Sequence, residues 1–224
     1  MNLLKTQWVA DNSFAARLIS GNRLDALAFE RFVFYPGMLF ATSDKWWGKP
    51  GSRHASHEGL DLCFFQTADG RSGRLDDSTR IPMAEESRIV RIMDDFLGQT
   101  VVAARKPTNA GGRRLFTLYA HIRPEEGIAE GDRLARGEMF ARIAPVSASG
   151  PPLPPHLHVS MAWADQLPDC RQWSWKLLNQ CGSGCFLDPL QWMALPHQIL
   201  PFSFEMDLVS QFRPCREMFE ALGH

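Results

Sequence analysis

The chain has 224 residues, 45% of them hydrophobic and 22% charged, with 24 basic side chains against 25 acidic ones. That composition belongs to a globular chain long enough for one domain with appendages or for two small domains. A formal net charge of -1 leaves no electrostatic footprint for DNA, RNA or an anionic membrane surface, so no nucleic-acid partner is expected.

The N-terminal stretch "MNLLKTQWVADNSFAARL" has one lysine but no continuous apolar run and no small-residue cleavage site, so it does not read as a signal peptide. The spacing of Phe14, Leu18 and Ile19 predicts a short helix over 12–20, stopped by Gly21. "RFVFYPGMLF" predicts a strand broken at Pro36-Gly37, followed by a polar loop that carries Trp46 and Trp47. These two rings are expected to pack in the core or anchor the loop, with groove lining or glycan stacking as the alternative. Strand-like alternation resumes over 60–65, and "QTADGRSGRLDDSTR" (66–80) is loop by composition.

Short β-like runs follow: "RIVRIM", "TVVAAR" and "LFTLYAHI". In the last, strict alternation puts Phe116, Leu118, Ala120 and Ile122 on one face and Thr117, Tyr119 and His121 on the other. "GIAEGDRLARGEMFARI" has the glycine spacing of tight turns between short strands, and "SASGPPLPP" is a stiff loop leading into "PHLHVSMAW". The segment "DQLPDCRQWSWKLLNQCGSGC" predicts an irregular or helical insertion. Cys215, Met218, Phe219 and Leu222 mark a C-terminal helix with Pro214 at its start. No apolar run reaches the roughly 20 residues that cross a bilayer, so no membrane span is expected. Five cysteines are too few and too scattered for a disulfide scaffold; Cys181 and Cys185 in "CGSGC" are read as two thiols, with a disulfide-closed loop or half of a metal site as alternatives.

The chemistry sits in three histidine-bearing segments. "HEGLD" places His57 and Asp61 four residues apart, but Gly59 and the following alternation favour a loop running into a strand, with His57 turned back towards Asp61. "LYAHI" carries His121. "PHLHV" carries His156 and His158 on one strand face, where i and i+2 side chains emerge about 6–7 Å apart. That separation lets one imidazole bind a metal while its neighbour reaches a water or a substrate oxygen. Each piece alone is weak, since a lone strand histidine is commonly a hydrogen-bonded structural residue. Together they supply what a catalytic zinc needs: three ligands of mixed His and carboxylate type, plus further histidines for proton transfer.

"HEGLD", "LYAHI" and "PHLHV", in that order, resemble the motif set of the lysostaphin-type (LytM-like) zinc endopeptidases, which cut peptide cross-links of bacterial peptidoglycan. "RIPMAEESRIVRI", "GIAEGDRLARGEMFARI" and "FLDPLQWM" resemble supporting segments of the same family. The resemblance implies a mainly β fold, a compact antiparallel β-sandwich or barrel-like peptidase core of the duplicated hybrid motif type, with short helical N- and C-terminal additions. It implies a zinc peptidase domain over 32–193 with an insertion at about 165–185, preceded by a helical or extended segment (1–31) and followed by a tail with a short helix (194–224). By motif, His57, Asp61 and His158 would ligate one Zn²⁺ per chain, with His121 and His156 as the catalytic histidines. The implied partner is a peptidoglycan peptide, and the implied location periplasmic or extracellular; the oligomeric state is left open.

The chain departs from the family at three places. Its approach to the HLH strand is rich in proline, Ser160 stands where a Glu is common, and Arg53 and His54 occupy the window where some members have a Tyr. Two rivals stay open at this point: a non-catalytic regulator of another wall hydrolase on the same fold, and a cytoplasmic metallohydrolase with a non-wall substrate.

Overall fold

A computed structural model of the protein describes residues 13–49, 51–105, 114–146, 153–163, 172–181, 185–201 and 208–223. Helix α1 (Phe14–Gly21) begins where Ser13 accepts the Ala16 N–H and buries Phe14, Leu18 and Ile19. The strands follow in order: β1 (Phe29–Phe34), β2 (Leu60–Leu62), β3 (Phe64–Thr67), β4 (Ser72–Arg74), β5 (Arg80–Pro82), β6 (Ser87–Asp94) and β7 (Gln99–Arg105). Next come β8 (Leu115–Pro124), β9 (Arg133–Leu134), β10 (Met139–Ile143) and β11 (Leu157–Trp163). The segment read from the sequence as an insertion (hereafter the insertion) supplies α2 (Trp175–Cys181). The chain ends with β12 (Phe186–Leu187), α3 (Pro189–Trp192), β13 (His197–Ile199), α4 (Leu208–Gln211), β14 (Arg213–Pro214) and α5 (Cys215–Glu220).

The fold is mainly β and mainly antiparallel. Strands β12-β11-β8-β7-β6-β9 form the spine of the larger sheet, to which β2, β5 and β10 also pair. The smaller sheet runs β13-β1-β3-β4-β14, and its two outermost pairings, β1 with β13 and β4 with β14, are parallel. The chain passes from one sheet to the other at Cys63, the single residue between β2 and β3.

The main core lies between the sheets and includes Phe32, Phe65, Leu62, Tyr119, Val159 and Phe140; Phe14 at the N-terminal end and Met218 at the C-terminal end belong to it as well. A second, smaller core lies on the other face of the larger sheet, where Phe116, Leu118 and Ala162 pack under Trp173 and Leu178 of the insertion. The insertion is therefore a cover over apolar surface that the sheet would otherwise expose.

The loop read over 66–80 differs from the structure. Thr67 turns through Gly70 (φ 84°) into β4, making a tight hairpin. A three-residue strand flanked by Asp, Gly and Ser carries no compositional signal, and its pairing with β3 comes from tertiary context. The residues of the predicted "CGSGC" loop between Cys181 and Cys185, the N-terminal residues 1–12 and the first part of the proline-rich approach (147–152) lie outside the described residues.

Candidate metal centre

Strand β11 lies between β2 and β8, and the register sets His158 directly opposite Asp61 on one side and Ala120 on the other. Directly opposed residues share a face of an antiparallel sheet, so Asp61 and His158 emerge side by side. Leu157, Val159 and Met161 point the other way into the main core. His57 comes from the loop ahead of β2, whose backbone is tied to the preceding chain by His57 N–H donating to the Thr42 carbonyl.

Three side-chain atoms converge. His57 Nε2 is 3.1 Å from His158 Nδ1 and 3.2 Å from Asp61 Oδ1, and the last two are 2.8 Å apart. A tetrahedral zinc with bonds of about 2.0–2.1 Å holds its ligand atoms about 3.3 Å apart, close to this triangle. All three residues are buried, and this is the one His/Cys/Asp/Glu group able to hold a metal among the described residues.

The outer hydrogen bonds orient all three groups. His57 Nδ1 donates to the Leu39 carbonyl at 3.0 Å; a carbonyl only accepts, so the ring proton sits there and the Nε2 lone pair faces the triangle. With its proton on Nε2, given to Ser160 Oγ at 2.8 Å, His158 presents Nδ1 in the same way. Asp61 Oδ2 accepts the Trp46 indole N–H at 2.7 Å and an Arg53 N–H at 3.3 Å, leaving Oδ1 to the histidines. Burial opposes ionisation of Asp61, yet the histidines around it, His57 foremost, hold its carboxyl well below the usual range. The donor set thus suits a divalent cation.

The other two predicted histidines stand beside this triangle. His156 donates from Nδ1 to the Pro154 carbonyl at 3.0 Å, and its Nε2 is 3.8 Å from Asp61 Oδ1. Burial is the main reason its pKa falls to about 3, which keeps the ring neutral. The His121 ring centroid is 4.9 Å from that of His156 and 5.7 Å from that of His158.

The face predicted for His121 is corrected. Strict alternation would place it with Tyr119, which is in the main core, but β8 carries a bulge: Thr100 of β7 stands opposite both Ala120 and His121. His121 takes a left-handed backbone (φ 61°), so its side chain swings to the groove and Ile122 returns to the main core beside Tyr119.

Sequence reasoning missed Asp95. Its carboxylate meets His121 Nδ1 at 3.1 Å and also accepts the His121 backbone N–H at 2.9 Å. Trp46 is buried as expected, but its indole orients Asp61, a role invisible without the fold.

These groups open into a groove of about 430 Å³. Its floor is Asp61, His121, His156 and His158. Lys45, Trp47 and Arg53 line it from the loop ahead of β2, and Phe96 and Trp175 from the β6–β7 turn and the insertion. The Arg53 guanidinium lies over the Trp47 ring, 4.5 Å from its centroid.

No protein-family model and no curated protein matches the chain. Solved structures do. LytU is 17% identical, with 69% of this chain and 83% of that one covered at a TM-score of 0.38. Lysostaphin is 15% identical, with 71% and 55% covered at 0.40. The catalytic domain of the prophage-encoded EnpA protein from Enterococcus faecalis is 20% identical, with 56% and 82% covered at 0.34.

Proposed function

We propose that the protein is a zinc-dependent endopeptidase that hydrolyses stem or bridge peptides of bacterial peptidoglycan. The observation that carries this reading is the buried triangle of His57 Nε2, Asp61 Oδ1 and His158 Nδ1, each group oriented by a separate outer hydrogen bond, with Asp61 and His158 lining a groove shared with two further histidines. The motif set that resembles the lysostaphin-type enzymes supports the substrate class.

His57, Asp61 and His158 would hold the metal. Zinc in such a site supplies Lewis acidity, polarising a peptide carbonyl and making water more acidic. His156, neutral and with its proton committed to Pro154, offers Nε2 as a hydrogen-bond acceptor that orients the attacking water. His121 takes the proton as the oxygen–carbon bond forms, and returns it to the amine as the carbon–nitrogen bond breaks. Phe96, Trp47 and Trp175 exclude water and give apolar contact to the substrate chain.

The test is digestion of purified peptidoglycan by the zinc-loaded protein, with mass spectrometry of the products. The wild type should release cleaved muropeptides and His57→Ala should not. Equal products from both would sink the zinc assignment, and no products from either would favour a non-catalytic module.

A further inference from the structure

The carboxylate of Asp95 is buried, with only 1% of its side chain exposed, and accepts five hydrogen bonds. Two come from Leu97 N–H (2.9 Å) and Gly98 N–H (2.8 Å), which is the ordinary use of Asp in the turn between β6 and β7. The other three serve no turn. One is from His121 Nδ1 and one from the His121 backbone N–H, the amide that the β8 bulge removes from the strand ladder. The third is from Thr100 Oγ1 at 2.8 Å. Thr100 is itself buried, and its hydroxyl oxygen accepts the Trp175 indole N–H at 2.8 Å. Trp175 opens α2 of the insertion and lines the groove, its ring centroid 5.6 Å from that of His158.

We propose that Trp175, Thr100 and Asp95 form a positioning chain for His121, so that the insertion helps to set the proton of that histidine. The directions of the bonds follow from the donors. The indole can only donate, so the Thr100 hydroxyl accepts from it and gives its own hydrogen to Asp95. The ionised carboxylate can only accept, so the His121 proton sits on Nδ1. Nε2 is then unprotonated on the ring edge away from Asp95, in a side chain that lines the groove. A histidine held this way by a carboxylate keeps one tautomer and has its imidazolium stabilised after it takes a proton. The left-handed backbone of His121 is a strained conformation of the kind that persists where surrounding bonds over-determine it, and Asp95 supplies two of those bonds. The catalytic consequence rests on the endopeptidase reading above; the hydrogen-bond chain itself does not.

The test uses the full chain labelled with ¹⁵N-histidine, with the His121 signals assigned by their loss in His121→Gln, and steady-state cleavage of a muropeptide by the zinc-loaded protein. In the wild type, His121 should show a protonated Nδ1 and a bare Nε2. Thr100→Val and Asp95→Asn should raise the Nε2–H tautomer and lower kcat about tenfold or more, with KM and bound zinc little changed. Thr100→Ser should behave as wild type, because the hydroxyl and not the methyl group is at issue. Trp175→Phe, which keeps a ring but loses the N–H, should shift the tautomer in the same direction as Thr100→Val. An unchanged tautomer in Thr100→Val and Asp95→Asn would overturn the proposal, as would Thr100→Ser failing as badly as Thr100→Val. A wild type that cleaves nothing would defeat the endopeptidase reading alone, and the tautomer arm would still decide the chain.

Discussion

Gly59 lies against the ring of His158: a Cβ at position 59 would stand 2.7 Å from His158 Nε2, 2.7 Å from Ser160 Oγ and 2.3 Å from the Val159 carbonyl oxygen. The glycine of "HEGLD" is thus required by close approach of β11, since real Cβ atoms do not come that near backbone. Gly59→Ala should push the loop off β11, disturb the His158–Ser160 bond and weaken zinc binding by about 10–100-fold, the usual cost of disrupting the groups that orient a metal ligand. Competition titration against a chelating fluorophore measures this, and wild-type affinity would refute it.

Trp46→Phe removes the indole N–H from Asp61 Oδ2 but keeps a ring for the edge contacts with Phe64 and His156. The buried carboxylate then depends on Arg53 alone at that oxygen. The variant should lose about 1–3 kcal/mol of stability and about tenfold in zinc affinity. Denaturant melts and the same titration read the two effects separately. If only stability falls, the indole is a packing residue and nothing more.

His121→Ala and His156→Ala should retain bound zinc while losing about 10²–10⁴-fold in kcat, whereas His57→Ala should lose metal and activity together. Elemental analysis beside the cleavage assay separates the two classes. Zinc loss in the His121 variant would move that residue into the ligand set.

The pH dependence is tested best away from the groove, at Asp76. Burial opposes its ionisation, but hydrogen bonds from Ser78 and from the Arg216 backbone N–H at the start of α5 lower its pKa below the usual carboxylate value. A depressed folded-state pKa stabilises above the unfolded value of about 4, and the gain is lost as pH falls through the folded value. Asp76→Asn should therefore be less stable than wild type at pH 7 by about 1–3 kcal/mol, with the gap closing below about pH 4. Urea midpoints at pH 7 and pH 3 give the comparison; a gap that stays constant would rule the carboxylate charge out.

How much of this was legible in the sequence depends on whether the signal was local. The faces of β11 follow from plain alternation, because one side is main core while the other carries His158 at the groove and, further along, Ala162 in the second core. The turn of His57 towards Asp61 was legible from Gly59 and the alternation that follows it. The side chosen by His121 was not, because a bulge is a property of two paired strands and "LYAHI" contains no mark of it. Asp95 was hidden for a related reason: in "DDFLG" it reads as an ordinary turn residue, and only the β7–β8 register brings it to a histidine 26 positions later. Trp46 was expected in the core on its size alone, yet its N–H needed a partner that only the fold supplies. Trp173 and Leu178, in the segment read as an insertion, cover Phe116 and Leu118, and that role required knowing which face of the sheet was bare.

The bulge also limits how β8 can change in length. Tyr119 and Ile122 both feed the main core although three positions apart, which an even two-residue rhythm forbids. The strand can do so only because the odd residue between them is absorbed at His121. Deleting one of the two residues between them would restore an even rhythm with Tyr119 and Ile122 still facing the core, but it would remove the bulge that turns His121 to the groove. Surface turns such as that at Gly70 tolerate length variation, but here a one-residue change costs His121 its place in the groove, so substitution and not insertion or deletion is the route by which this segment can diverge.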